Sequence, residues 1–150
     1  MTDAPEKPRP FRVLPQILPE TEPFWHGGEV GELRFWRCDD CGHLLHPPSP
    51  RCPICLSKSL SITVVSGKAT VFTYTVNWQP WYPNLDPPYV VAIVTIDEQP
   101  DVRLTTNLVN VEPDDVYIGM PVQVVFEHYD DVWLPFFEPV EGASKVEAAS

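Results

Sequence analysis

Positive charge is scarce in this 150-residue sequence. Ten Lys and Arg stand against 21 Asp and Glu, for a net charge of −11. Between residues 69 and 140 the only base is Arg103. A phosphate backbone is held by clustered cations whose binding releases counterions, so this acidic stretch argues against a nucleic-acid partner. Long apolar runs are also missing. The longest, residues 89–94, falls well short of the roughly 18 residues that a membrane span needs, so no membrane partner is expected. The opening Met1-Thr2-Asp3-Ala4-Pro5 lacks the basic-then-apolar order of an export signal, and a cytoplasmic location is the expectation. No Ser-His-Asp set, Gly-rich phosphate loop or His-rich metal cluster is recognisable. The expected catalytic set is therefore empty.

Proline, by contrast, is abundant: 19 residues, against a usual share of about 5%. The prolines cluster before residue 25 and between residues 80 and 88, where they favour extended backbone over helix. Aromatic residues make up 11% of the chain, too many for a disordered one. A folded protein with few helices is expected.

All four cysteines fall in one short span: Cys38-Asp39-Asp40-Cys41, ten residues, then Cys52-Pro53-Ile54-Cys55. Two facing Cys-x-x-Cys knuckles supply four thiolates to one tetrahedral ion, and Gly42 stands where the first must turn. Zinc is favoured, in a structural role, because four soft sulfurs close its shell; iron is the alternative. A pair of disulfides is disfavoured by a reducing cytoplasm. His43 and His46 read as hairpin surface rather than ligands.

The remaining pattern divides the chain into four. Residues 1–20 form an extended Pro-rich tail. Residues 21–60 carry a short helix, begun by Thr21 as a cap and cut off by Gly27, Gly28 and Gly31, followed by the four-cysteine ribbon. Residues 61–140 alternate as strands at 61–66, 69–77, 89–96, 102–109, 120–128 and 132–137, with one helical turn at 112–115. Residues 141–150 read as a disordered tail. The fold class is mainly β, and the best match for the strand region is an OB-fold antiparallel barrel, with a β-sandwich as the alternative.

One loop breaks the regular strand spacing. Residues 78–88 hold Trp78, Trp81, Tyr82 and four prolines, and Tyr89 follows. Pro-stiffened apolar loops lose little entropy on docking. Trp78, Trp81, Tyr82, Pro83 and Tyr89 are therefore candidates for a partner or acyl-ligand surface, the alternative being a lid over the barrel mouth. His26 reads as helix surface. Glu127 and His128 face opposite ways on a strand and make no obvious acid–base pair.

In this order, Phe24-Trp25, the Arg37-Cys38-x-x-Cys41-Gly42 knuckle, Pro47-Pro48, Cys52-Pro53-x-Cys55, Gly67-Lys68-Ala69-Thr70-Val71, Pro87-Pro88-Tyr89-Val90-Val91-Ala92, Thr105-Thr106-Asn107-Leu108-Val109, Ile118-Gly119-Met120-Pro121-Val122 and Leu134-Pro135-Phe136 resemble the DUF35 family of acyl-CoA-associated OB-fold proteins with a rubredoxin-like zinc ribbon. The similarity runs from about residue 24 to residue 139. Family members often carry a histidine after the second barrel strand; Asn77-Trp78 stands there instead, so no role of that histidine transfers.

The resemblance implies a non-catalytic subunit. Such proteins accompany thiolase-like enzymes, including sterol-carrier-protein-type thiolases, or are joined to MaoC-like hydratases. In archaeal relatives the barrel sits between a thiolase and a synthase and helps house the CoA arm. This sequence is most similar to the group paired with a thiolase-fold aldolase, which cleaves a steroid side-chain CoA thioester by retro-aldol chemistry. A heterotetramer built around a thiolase dimer is the implied assembly. Because the barrel is acidic, any direct contact to the CoA phosphates is expected on Arg34, Arg37, Arg51 and Lys58 of the ribbon, or on the partner. Two other readings remain: an acyl-CoA binding or channelling module that stands alone, and, ranked last, an OB-fold nucleic-acid binder.

Overall fold

The computed structural model describes residues 8–141. The first seven residues of the expected Pro-rich tail, and residues 142–150 of the expected disordered tail, lie outside the described residues. Among the described residues no helix is long and apolar enough to cross a membrane.

A short helix α1 (Glu22–His26) opens the ordered elements, with Pro23 in its first turn, where a missing N–H costs nothing. Thr21 precedes it but does not cap it with its side chain. Its hydroxyl turns back instead, accepting from the Leu18 amide at 3.0 Å and donating to the Leu18 carbonyl at 3.2 Å. The chain tightens into a 3₁₀ turn, Gly27–Val30, and leaves it through Gly31 in the left-handed region. Gly28 is required by a close approach: a Cβ there would lie 2.4 Å from Trp133 Cβ and 2.6 Å from Phe126 Cδ1.

Next come β1 (Leu33–Cys38), the two-residue β2 (Leu44–Leu45) and β3 (Leu60–Val65), which form an antiparallel sheet in the order β2–β1–β3. Here the structure corrects a sequence expectation. The strand expected over residues 61–66 to open the barrel instead pairs along the whole of β1, from Leu33↔Val65 to Cys38↔Leu60, and completes the ribbon sheet.

The barrel follows: β4 (Lys68–Asn77), β5 (Tyr89–Ile96), β6 (Gln99–Leu108), β7 (Pro121–Tyr129) and β8 (Val132–Pro139), closed in the order β4–β5–β6–β8–β7. A 3₁₀ turn at Pro113–Asp115 lies between β6 and β7, where the sequence predicts one. The chain is mostly β with a closed five-stranded, OB-like barrel. In β5, Val90, Ala92, Val94 and Ile96 are buried in the core while Tyr89, Val91 and Ile93 are half-covered on the other face, which explains a strand apolar on both sides.

Leu33, Phe35, Leu44 and Val65 of the ribbon sheet join the same hydrophobic cluster as the barrel's Val94, Val122 and Phe137, so the ribbon packs directly on the barrel. Cys38, Leu45 and Cys52 form a small separate cluster with Trp36 and Leu60 around the sulfurs.

The seam between β6 and β8 is thin. One parallel residue pair, Leu108↔Phe137, joins them. Pro135 has no N–H to extend a ladder. Its carbonyl is instead taken by the buried Thr106 hydroxyl at 3.0 Å.

Candidate functional site

The four cysteines converge as their spacing predicts. Their sulfurs all lie within 4.8 Å of one another. Cys38 Sγ is 3.5 Å from Cys55 Sγ, and Cys41 Sγ is 3.5 Å from Cys52 Sγ. Four sulfurs about 2.3 Å from a tetrahedral ion stand about 3.8 Å apart, so the geometry fits one ion, whereas a disulfide needs about 2.0 Å. All four are free cysteines.

Electrostatics point the same way. Burial raises Cys52, but the amides of Cys55 and Ile54 donate to its sulfur and bring it down to about 7. For Cys55 the Ser57 amide favours the thiolate, yet the neighbouring Cys38 sulfur and burial win and push it up to about 12. Four thiolates this close cannot all ionise without a cation between them. The knuckles are braced from outside: Ser59 donates to Asp39 at 3.0 Å, Ser61 donates to Asp39, and Ser57 donates to Asp40. These four cysteines are positioned for metal binding.

His43 and His46 stay out of this cluster. His46 departs from the surface position expected of it. Its ring packs 5.1 Å from Phe24 and 5.3 Å from Phe35, and burial lowers its pKa below the ordinary 6.5.

Beside the ribbon lies an open groove of about 790 Å³. It is lined by Leu104, Asn107, Leu134 and Phe136 of β6 and β8 and by Phe24, Trp25 and His46 from beside the ribbon. Tyr82 and Leu85 of the 78–88 loop, with Tyr89 and Val91 of β5, also line it.

Of the loop residues singled out from sequence, Tyr82 and Tyr89 therefore reach the groove. Trp78 and Trp81 do not line it; they are 71% and 66% exposed, which leaves them to another surface. Asn77 braces this loop: its side chain donates to the Gln79 carbonyl at 2.7 Å and accepts from Trp81 Nε1 at 3.1 Å.

The ribbon cations are differently engaged. Arg34 pairs with Glu32 at 2.7 Å, while Arg37 and Arg51 donate to the carbonyls of Gly42 and Leu56. None of Arg34, Arg37, Arg51 and Lys58 lines the groove.

The two cations that do line it, Arg12 and Arg103, are absent from the sequence-based candidates. Arg103 lies 4.0 Å over the Phe72 ring. Arg12 arrives on the extended N-terminal strap. Its neighbour Phe11 donates its amide to the Pro83 carbonyl at 3.1 Å and sets its ring 5.6 Å from Tyr82.

Near the turn between β7 and β8, His128 stacks on its cross-strand partner Trp133 at 4.2 Å, and on the opposite face of β7 Glu127 takes the Tyr129 hydroxyl at 3.3 Å. Glu127 and His128 are thus engaged separately. No acid–base pair forms there.

Comparisons with known proteins converge on this arrangement. A family model described as the ChsH2 rubredoxin-like zinc ribbon domain matches residues 25–61, and one described as the ChsH2 C-terminal OB-fold domain matches residues 63–127. A DUF35 domain-containing scaffold protein of Methanocaldococcus jannaschii is 37% identical over 114 residues, covering 70% of this chain and 79% of that protein. The 3-oxo-4,17-pregnadiene-20-carboxyl-CoA hydratase alpha subunit of Mycobacterium tuberculosis is 36% identical over 129 residues, or 86% of this chain. This chain spans only about two-fifths of the length of the hydratase alpha subunits it matches (42% and 40%). Among solved structures, a chain of the Ltp2-ChsH2(DUF35) aldolase superposes with a TM-score of 0.75 at 36% identity, covering 84% of this chain and 98% of that one. With the ribbon and barrel models matched in turn and a DUF35 scaffold protein 37% identical over 70% of the chain, the chain belongs to the DUF35 family.

Proposed function

We propose that this chain is the non-catalytic DUF35 subunit of a thiolase-fold aldolase that cleaves a steroid side-chain CoA thioester by a retro-aldol step. The observation that carries the reading is the 36% identity and TM-score of 0.75 across 98% of a chain of the Ltp2-ChsH2(DUF35) aldolase. The molecule's own chemistry is consistent with a supporting role. Its described residues hold an apolar groove and a sulfur-lined metal site, with no nucleophile–base pair assembled in either.

In this reading the groove accepts the acyl-pantetheine part of the substrate. The nucleotide end lies on Arg34, Arg37, Arg51 and Lys58 or on the partner. Trp78 and Trp81 meet the partner, in a heterotetramer around a thiolase dimer. The metal is zinc, and it holds the ribbon in shape. Four thiolates would fill its tetrahedral shell and leave no open position for substrate.

Native extract pulled down on this chain should yield a thiolase-fold protein, and the pair should cleave a β-hydroxyacyl-CoA steroid adduct. A pair that performs thiolysis but no cleavage would overturn the choice of reaction. Turnover of the thioester by the lone purified chain would overturn the supporting role. A second reading, a hydratase-associated module, draws on the 36% identity to the pregnadiene-carboxyl-CoA hydratase subunit. Recovery of a MaoC-like protein instead of a thiolase relative would favour it.

A further inference from the structure

Residues 69–140 are acidic, with Arg103 their only Lys or Arg, yet a second guanidinium lines the groove. It is brought from outside the barrel by the N-terminal strap. Arg12 Nη1 donates to Asn107 Oδ1 at 2.8 Å across 95 residues of sequence. Asn107 is itself fixed, because its Nδ2 donates to the Val90 carbonyl at 3.0 Å and so presents Oδ1 as the acceptor. The Arg12 guanidinium carbon lies 4.7 Å from the centre of the Phe136 ring.

Two faces of β8 make the arrangement visible. Phe137 belongs to the barrel core, so Phe136 faces outward, yet it is only 5% exposed, with Arg12 over its ring. Arg9 lies likewise 3.9 Å over Tyr129. An extended segment with no ladder of its own is held here by side chains and by the Phe11–Pro83 backbone bond, which must offset the entropy of ordering it.

One feature of Arg12 is not used by these contacts. Among the described residues, its Nε is the one buried side-chain nitrogen or oxygen without a hydrogen-bond partner. Being buried, Nε is closed to a ligand in the groove, so the donors left for one are the Nη hydrogens that Asn107 does not take. A guanidinium offers five N–H donors in a fixed fork, suited to a planar oxygen acceptor.

We propose that Arg12 is a ligand-binding residue of the groove, donating to a carbonyl or carboxylate oxygen at the head of an acyl chain that lies along the apolar walls. The assignment rests on the acyl-ligand reading of the groove given above and adds the residue and the atom class it takes. A phosphate is a poorer fit, since a dianion set between Phe136, Leu134 and Val91 would lose hydration that Arg12 alone cannot replace, and the other guanidinium of the groove, Arg103, lies over the Phe72 ring. The strap is then part of the site. Because Phe11 is bonded to Pro83, a ligand held by Arg12 also steadies the aromatic loop.

The test compares the full chain with Arg12→Gln and Arg12→Lys in binding dodecanoate, 1-dodecanol, dodecanoyl-CoA and CoA alone, by titration calorimetry. Thermal melts confirm that each variant is folded. Loss of one charge-assisted hydrogen bond should weaken dodecanoate about tenfold in Arg12→Gln and less in Arg12→Lys, with dodecanol changed less than about twofold. Dodecanoate should also slow amide exchange at Phe11 in the full chain and not in Arg12→Gln.

Equal losses for dodecanoate and dodecanol would make Arg12 a mere wall and overturn the proposal. So would absence of dodecanoate binding to the full chain, or a loss for CoA alone as large as that for dodecanoyl-CoA. Dodecanoyl-CoA bound equally by the full chain and Arg12→Gln overturns this assignment and leaves the acyl-CoA reading standing. Arg12-dependent binding of dodecanoate without any binding of dodecanoyl-CoA does the reverse.

Discussion

The side chain of Gln99 pairs with the backbone of Leu44 as a second strand would. Leu44 N–H donates to Gln99 Oε1 at 2.8 Å, and Gln99 Nε2 donates to the Leu44 carbonyl at 2.9 Å. β2 is only two residues long and has β1 on one side. The amide at the start of β6 therefore satisfies the other side of the ribbon edge and fixes the ribbon's angle on the barrel.

Gln99→Ala leaves both Leu44 groups without these partners. The expected cost is about 1–3 kcal/mol in urea unfolding, with faster amide exchange at Leu44. Gln99→Glu, which keeps the shape but loses the donor, should fall between the two proteins. Exchange at Leu44 that is unchanged in Gln99→Ala would mean that the apolar contacts of Leu33 and Phe35 hold the ribbon without this clip.

Metal removal should act on the ribbon first. One ion per chain is expected by elemental analysis, colourless if zinc and red if iron, and Cys38→Ser or Cys52→Ser should abolish it. Strong chelation should release exchange protection around Cys38, Leu45 and Cys52, whose small cluster surrounds the sulfurs, while the Val94 and Phe137 core stays protected. Simultaneous loss of both regions would show that the barrel cannot stand without the ribbon.

The ring of His46 sits between Phe24 and Phe35, and burial lowers its pKa below the ordinary 6.5. The unfolded chain therefore takes up a proton that the folded chain resists. This histidine costs no stability above about pH 6.5; as pH falls below that value it costs stability until its own folded pKa is reached. Urea midpoints measured from pH 8 to pH 5 should drop less in His46→Phe than in the parent, with the carboxylates common to both cancelling in the difference. Parallel curves would show that His46 is not held neutral.

How much of this was readable in advance depended on how local each signal was. The metal site needed only spacing within Cys38–Cys41 and Cys52–Cys55, so it was fully visible in the sequence. β5 was visible because its residues are apolar on both faces: one faces the barrel core, and on the other Tyr89 and Val91 line the groove. β3 was read as barrel because strand alternation looks the same in either sheet, and only the distant pairing of Leu33 with Val65 assigns it. The strap was read as a tail because its contacts are remote: Arg12 meets Asn107, and Phe11 meets Pro83. A Pro-rich segment without periodicity carries no trace of such partners. His46, beside Pro47-Pro48, looked polar and superficial because nothing local signals the helix that covers it.

Trp78 and Trp81 are exposed, and the side-chain bond of Trp81 goes to Asn77 at the start of its own loop, so neither supports the fold much. Trp78→Ala should leave unfolding within about 0.5 kcal/mol of the parent, as surface substitutions usually do. If the loop is the partner surface, the same change should weaken capture of the thiolase-fold partner tenfold or more, since exposed tryptophans that become buried dominate interfaces. Capture measured by surface plasmon resonance and found unchanged in the Trp78→Ala, Trp81→Ala double variant would move the interface elsewhere.

Gly28 tests whether α1 is held against the barrel by shape. A methyl group at Gly28 would meet Trp133 Cβ at 2.4 Å and Phe126 ring atoms at 2.6 and 2.8 Å, and Trp133 Cβ lies too close to the backbone to swing aside. The 3₁₀ turn would have to lift from β7 and β8, carrying with it Phe24 and Trp25, which line the groove. Gly28→Ala should therefore cost about 1–3 kcal/mol and also weaken dodecanoate binding. Gly31 is the control. It has nothing within 4 Å of a new Cβ but a φ of +73°, so Gly31→Ala strains the backbone without displacing the helix. Its expected cost is about 1 kcal/mol, with groove affinity retained. Equal effects of the two substitutions on dodecanoate would mean that the groove is shaped by the strap and the seam alone, and not by the packing of the helix on the barrel.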